Sequence, residues 1–386
     1  MKQGRFLGHL ILGLGLIFSS VEGFAEWNDI LRVPEASLMG DAYTAYGNTL
    51  PLFYNPALLG RTYQAQVSFL EMAGGVTNIM NEEDRKRFED IPHDAFAVRQ
   101  RLQGLPLYGQ VSYMPGVRLG PIEVRYFFND EHRHILVNQV APMIKFNYRC
   151  DQGIVVGGAY SWGNKVIEHS RSTQPSPEGH HFSIGIAGKF LKRESLKADY
   201  ALFSPTLLNL IRDQNNSEYE DYVKSLGAKS GKGFRLDVGL DYFYQWGTST
   251  FAAGLSVQDV GRTSFKPEED GAHVVSQEMM VNAGLMWKQN FDLLELVLTA
   301  DSRGLNYGVN QQRRWSYGLK FGFPFLQVLA GYHHHHRSYG IRLKFWPVEL
   351  VAGLYEVDFG PEGKQRFIDN KRAVVYLKLF DLDLNI

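Results

Sequence analysis

The chain has 386 residues, with 40 Lys and Arg against 41 Asp and Glu, a formal net charge of −1. That near-balance excludes the electrostatic footprint of a nucleic-acid binder. The single cysteine, Cys150, excludes an intramolecular disulfide, and beyond the N-terminus no apolar run reaches the ~18 residues that a spanning helix needs.

In chain order, MKQGRFLGHLILGLGLIFSSVEGFA comes first. Lys2 and Arg5 precede an apolar run from Leu7 to Phe18, and Gly23 and Ala25 are small enough for a signal peptidase. Residues 1–25 therefore read as a signal peptide with cleavage after Ala25, and the mature chain as exported. Residues 26–60 follow as a separate segment. In RVPEASLMGDAYTAYGNTLPLFYNPALLG, Pro34 is placed to start a helix and Gly47 to end it. Leu38, Met39, Ala42, Ala45 and Tyr46 form its apolar stripe. Pro51 and Pro56 forbid helix beyond it, and Asn55 is held extended by the proline that follows. A small helix and a stiff elbow ahead of the strands are apt to fold into a lumen.

From residue 61 the pattern becomes period-two. PIEVRYFF sets Ile122, Val124, Tyr126 and Phe128 against Glu123 and Arg125. HFSIGIAGKFL offers Phe182, Ile184 and Ile186. FRLDVGLDYFYQW sets Phe234, Leu236, Val238, Leu240, Tyr242, Tyr244 and Trp246 against Arg235, Asp237, Asp241 and Gln245. QEMMVNAGLMWKQ and SYGIRLKFW repeat the pattern. Alternation means a strand with two unlike faces. A soluble sandwich strand is about 5–6 residues long, whereas a tilted membrane strand needs about 9–11. Length and aromatic ends favour lipid outside and a polar lumen inside. The slightly negative mean hydropathy, −0.23, fits that division. The C-terminal VVYLKLFDLDLNI is expected to place Tyr376, Phe380, Leu382, Leu384 and Ile386 on one face. It resembles the terminal sorting signal of outer-membrane barrels, although those usually end in an aromatic residue. The barrel-assembly machinery is the partner this implies.

The connections sort into short turns at 247–249, 324 and 346–347, and long segments at 73–104, 192–233, 260–276, 304–312 and 359–370. Short turns and long loops lie at opposite ends of such barrels. The strand number must then be even: 14, or 16 if residues 166–171 pair as a strand. The reading is an all-β chain, a transmembrane antiparallel β-barrel over residues 61–386, with helical outer loops. NEEDRKRFEDI opens with an acidic first turn suited to a helix N-terminus. The segment from Ser204 has a capping Ser, Pro205 at the first helical position, and a greasy side of Leu207, Leu208 and Ile211. With Phe203, these residues are candidates for the rim of a ligand pocket; packing on the loop beneath is the plainer role.

Asn55, Pro56 and Ala57 in the stretch 32–60 resemble the plug elbow of the FadL superfamily of outer-membrane proteins. The stretches LDVGLDYFYQWGTSTFAAGLSVQDVG and LAGYHHHHRSYGIRLKFWPVELVAGLYEVDFG resemble its PorV/PorQ-type branch. The resemblance covers residues 32–60 and 234–360; residues 73–233 match nothing in it. It implies a 14-stranded barrel in the outer membrane of a Gram-negative envelope, with an N-terminal plug. Two functions are implied. One is passive transport of hydrophobic, fatty-acid-like molecules past the plug. The other is a non-enzymatic scaffold or shuttle for secreted proteins. The plug and the greasy loop tilt the balance towards transport.

No catalytic motif stands against this. GAKSGKG at 227–233 lacks the Ser or Thr of a phosphate loop and reads as a flexible loop. No zinc-protease or Gly-x-Ser-x-Gly pattern occurs, and His132, His134, His169, His180 and His181 have no assigned Ser and acid beside them. Four histidines at 333–336 would share faces in pairs as a strand, a spacing that can chelate a metal; a polar turn facing the outer medium explains them as well. Cys150, in RCDQG, reads as part of a strand-end turn. No enzyme activity, cofactor or metal site is expected, and the partners are outer-membrane lipid, an apolar ligand or a secreted protein.

Overall fold

The computed structural model describes residues 29–47, 49–61, 65–77, 82–88, 95–138, 140–163, 178–205, 207, 223–269, 273–308, 314–358 and 369–384. The signal segment 1–25, residues 166–171, Leu208 and Ile211 lie outside them.

Strands β1 (Ala65–Thr77), β2 (Pro106–Tyr113), β3 (Gly116–Leu119), β4 (Ile122–Val137), β5 (Met143–Gly163), β6 (Gly179–Ala201), β7 (Lys229–Trp246) and β8 (Ser249–Gln258) run antiparallel in sequence order. The two-residue β9 (Lys266–Pro267) pairs only with β7. The wall continues through β10 (Met280–Phe291), β11 (Leu294–Ser302), β12 (Trp315–Gly322), β13 (Leu326–His333), β14 (His336–Phe345), β15 (Val348–Asp358) and β16 (Asp369–Leu384). β16 pairs with β1 from Ala65 opposite Leu384 to Thr77 opposite Arg372, which closes the sheet. β2 and β3 both lie between β1 and β4, as one wall strand broken at Met114 and Pro115; Pro115 has no N–H to give a ladder. The result is a closed antiparallel barrel of 14 wall strands.

The two faces divide as the alternation requires. On β7, Phe234, Leu240 and Trp246 are exposed, whereas Arg235, Asp237, Asp241 and Gln245 are buried in the lumen. An apolar exterior over a charged interior inverts the soluble pattern and fits a lipid-facing wall. The belt has visible limits. On β6 and β7 it runs up to Phe190 and Phe234, whose rings lie 4.7 Å apart. The next outward residues, Lys192 and Lys232, both pair with Glu268, at 2.8 and 3.3 Å. At the opposite margin stand Trp162, Phe182 and Trp246, all exposed, with the rings of the first two stacked at 6.0 Å.

The wall is uneven in height. β5 has 21 residues and β6 has 23, whereas β12 and β13 have 8 each. At about 3.3 Å per residue and a tilt near 40°, β6 climbs roughly 55 Å, well beyond the ~30 Å hydrocarbon layer. Its upper part is covered from outside by loop residues. Leu207, Val223 and Leu226 bury Phe146, Tyr148 and Leu196.

Several expectations are corrected. Residues 192–201 and 229–233 belong to β6 and β7 rather than to loops, so the segment 227–233 is largely strand. Outward residues turn polar above the belt, which hid the strand continuation from the apolar pattern. Cys150 lies inside β5, opposite Glu194, not in a turn. On β16, Tyr376 faces the lumen and donates its hydroxyl to Glu71 at 2.6 Å, while Val375 is exposed. Phe380 is exposed because its backbone takes φ +55°, which rotates it out of the alternation. In the loop after β1, the helix at Glu82–Phe88 matches the acidic-start signal, and a second helix at Ala95–Leu102, with no acidic first turn, was not expected. Ser204 accepts the Leu207 N–H at 3.4 Å, the geometry of an N-cap.

Leu240 lies near mid-belt, so Leu240→Arg should cost about 2–4 kcal/mol of folding stability in phospholipid vesicles, measured by urea titration. A change within ~0.5 kcal/mol, the ordinary surface value, would put β7 in water.

Candidate functional site: a plugged lumen

Residues 29–61 enter the barrel and fill its waist, and nearly every described residue among them is buried. The helix α1 spans only Pro34–Leu38. It stops there because Gly40 and Asp41 adopt φ +64° and +60°, conformations that no helix continues. The apolar residues up to Tyr46 thus lie on turns, not on the longer helix expected to end at Gly47. Two short 3₁₀ segments follow, Pro51–Phe53 and Pro56–Arg61.

The elbow joins these pieces. Asn55 is fully buried. Its Nδ2 donates to Thr44 O and to Leu240 O of β7, both at 3.1 Å. Its Oδ1 accepts the Ala57 N–H, also at 3.1 Å. One side-chain amide thereby ties the plug turn, the wall and the elbow. Pro56 has no N–H of its own to satisfy there, and Ala57 O accepts the Ser183 hydroxyl of β6 at 2.8 Å.

The wall meets the plug with glycines. On the inner face Gly185 stands opposite Gly239, Gly254 opposite Gly284, Gly318 opposite Gly331, and Gly340 opposite Gly353. A Cβ on Gly254 would lie 2.7 Å from Thr44 O, and one on Gly318 would lie 2.8 Å from Met39 O. One on Gly239 would overlap Asn55 Oδ1, and one on Gly331 would overlap Gly40 N. Close backbone approach is the reason for glycine at these positions.

Charged posts complete the hold. Arg61 forks onto Asp241 at 2.8 and 2.6 Å and also donates to Ala45 O at 2.9 Å. Arg342 pairs with Glu35 at 2.6 Å, and Glu35 also accepts from Tyr43 and Thr49 at 2.9 and 2.7 Å. Asp301 Oδ2 accepts the N–H groups of Tyr43 and Thr44 at 2.8 and 2.7 Å. Arg303 pairs with Asp29 at 2.6 Å. Sequence reasoning found the elbow but missed these wall partners and the glycine pairs. The signal that could have found them is parity: glycine recurs at inward positions of successive strands.

At the outer rim, Phe203 is accessible and its ring lies 5.0 Å from that of Phe96. Leu207, on the covering loop, is 2% exposed and packs in a cluster with Phe146, Tyr148 and Leu196. The four histidines do not form a strand. His333 ends β13 and His336 begins β14, paired across a turn of His334 and His335 with φ +50° and +71°. That geometry breaks the alternate-face pairs a chelate needs. His333, His334 and His336 are buried, and His333 and Ser316 share a 2.5 Å hydrogen bond. Among the described residues no group of three or more His, Cys, Asp or Glu is arranged to hold a metal ion.

No family model and no curated protein matches the chain. Three solved structures are similar in outline. A TodX monoaromatic hydrocarbon channel mutant is 12% identical, with a TM-score of 0.46, covering 90% of this chain and 99% of that one. The Pseudomonas putida toluene transporter TodX is 11% identical, with a TM-score of 0.36, covering 94% and 99%. The CymD monoaromatic hydrocarbon channel is 11% identical, with a TM-score of 0.35, covering 92% and 99%. At such scores the likeness says nothing of what this chain carries.

Gly239→Val forces a side chain into Asn55, and Asn55→Ala removes the tie itself. Both should raise single-channel conductance in planar bilayers above a closed wild-type baseline. Asn55→Ala should also lower stability by about 1–3 kcal/mol, the cost of leaving buried carbonyls unmade. Closed traces for both variants would mean that the plug does not gate the lumen.

Proposed function

We propose that the protein is an outer-membrane barrel of FadL-like kind that passes hydrophobic small molecules through a plug-gated lumen. The observation that carries this reading is the chemistry of the seal. The waist is closed by apolar plug residues, with Met39, Tyr43, Tyr46, Leu52 and Tyr54 in one buried cluster. A fixed polar pore of the porin type needs an open wet lumen. Here passage requires the plug to shift, and the apolar surface that a solute would meet is the plug's own cluster. The accessible Phe96 and Phe203 pair at the outer rim supplies a first contact for an apolar solute. Export by the N-terminal segment belongs to the same proposal; kinship with the PorV/PorQ-type branch belongs to the alternative, a scaffold for secreted proteins.

The discriminating measurement is native mass spectrometry after gentle extraction. Fatty-acid-sized adducts on the wild type, lost on Phe203→Asp, are expected. A barrel free of such adducts that carries one stoichiometric protein would reject the conduit in favour of a scaffold for secreted proteins.

A further inference from the structure

The outer wall carries a groove that the lumen does not explain. It has a volume of about 810 Å³ and crosses β7, β8 and β10 to β13. Its floor is made of small outward residues, Ala253, Ala300 and Ala330, with the backbone at Gly318 and Gly331. Its rim is Tyr242 on one side and Tyr317 and Tyr332 on the other, with Leu285 and Trp287 between. Leu285, Tyr317 and Tyr332 are exposed, while the alternate residues Ala252, Met286 and Thr299 are buried, so the groove opens outwards, not into the barrel. Behind it, Gly254, Gly284, Gly318 and Gly331 admit the plug backbone from Met39 to Ala45.

We propose that this groove binds one acyl chain of a membrane glycerophospholipid. The groove is continuous with the apolar belt that already faces lipid, and no charged side chain lines it. Its volume lies within the roughly 300–1,000 Å³ of small-molecule sites. A second copy of the chain is a poor fit: an isologous contact sets each patch against itself, and two concave faces leave a void. Between lipid tails and an apolar wall there is no hydrophobic drive, so retention must come from van der Waals contact. A concavity provides that contact on several sides of one chain, and a flat wall does not. A polar end is also present. The Tyr242 hydroxyl and His180 Nδ1 lie 2.7 Å apart, and the His180 ring stacks on Tyr244 at 4.6 Å. His180 is exposed beside the end of β6, at the margin marked by Trp162 and Trp246, where a lipid headgroup would lie.

The test uses the full-length barrel in detergent, stripped of lipid, with dioleoylphosphatidylglycerol added back. Native mass spectra of the wild type should show one retained phospholipid in preference to two or none. Ala253→Phe with Ala300→Phe fills the floor and should lower that occupancy at least tenfold while leaving fatty-acid adducts intact. His180→Ala should lower it several-fold. If the double variant does not fold, Ala330→Phe carries the same expectation. Unchanged phospholipid occupancy in the filled variants would overturn the proposal. So would an unselective ladder of adducts, or a wild-type homodimer that the filled variants lose.

Discussion

The contact on which the rest depends is backbone against backbone: the plug chain lies on an inner wall that carries no side chains there. A barrel of about eight strands fills itself with its own side chains, but one of fourteen leaves a lumen too wide for that. A chain segment can close such a lumen only if its N–H and C=O groups find partners. Paired glycines on neighbouring strands let the plug approach closely enough for Asn55 to reach Leu240 O and for Ser183 to reach Ala57 O. Four such pairs, on β6 to β8, β10 and β12 to β15, set the plug at one level of the barrel.

The charged posts follow from that placement. Once the plug excludes water from the waist, the inward carboxylates and guanidinium groups are desolvated and have to be satisfied by one another. Glu35 takes Arg342 and the hydroxyls of Tyr43, Tyr46 and Thr49. Asp241 takes the fork of Arg61. Buried pairs of this kind add little net stability over an apolar core, but breaking one by removing a partner costs about 3–5 kcal/mol. Their role is therefore to fix where the plug sits. A plug that shifts must exchange these partners together or keep them. The posts on β7, β11 and β14 lie on separate strands, so a rotation about one would strain the others.

The barrel was legible from sequence because two-faced strands write their pattern directly. Phe234 to Trp246 needed no tertiary knowledge to read. What failed did so for local reasons. Tyr376 was grouped with Phe380 on one face by strict alternation, and a single positive φ at Phe380 breaks that alternation. The upper parts of β6 and β7 were read as loop because strands outside the belt lose their apolar face. The plug helix was read too long because apolar spacing continues past Asp41 while the backbone does not. The elbow was legible in Asn55, Pro56 and Ala57, since a proline and its preceding residue constrain the backbone whatever surrounds them. Its partners were not, because register across 180 residues of chain is not written in either segment alone. The loop was only half legible: Leu207 has the greasy character of a ligand contact and of a packing residue alike, and its place in the cluster with Phe146 is not written in the segment itself.

The outside of the wall is shaped by the same fit as the inside. Glycine on the luminal face lets the sheet approach the plug on β8, β10, β12 and β13, and several outward residues of this stretch, Ala253, Ala300 and Ala330, are too small to restore the lost thickness. That stretch is also where the wall is shortest, with β12 and β13 climbing roughly 20 Å against a hydrocarbon layer of about 30 Å. Bilayer thinning beside a short wall, or side chains reaching to the interface, is the usual response to such a mismatch. Trp315 and Tyr317, stacked at 6.4 Å near the top of β12, and Trp346, exposed at the opposite end of β14, are placed to anchor both margins of this thin side. The tall side, from β4 to β7, rises out of the membrane and carries the loops. The plug is latched on both sides of the barrel, by Gly254, Gly284, Gly318 and Gly331 on the thin side and by Ser183, Leu240 and Asp241 on the tall side that carries the loops. Motion of the loops can reach the plug through all four tall strands: Asn129 of β4 donates to Ile30 O, Arg149 of β5 donates to Asp29 O, and Ser183, Leu240 and Asp241 of β6 and β7 hold the elbow.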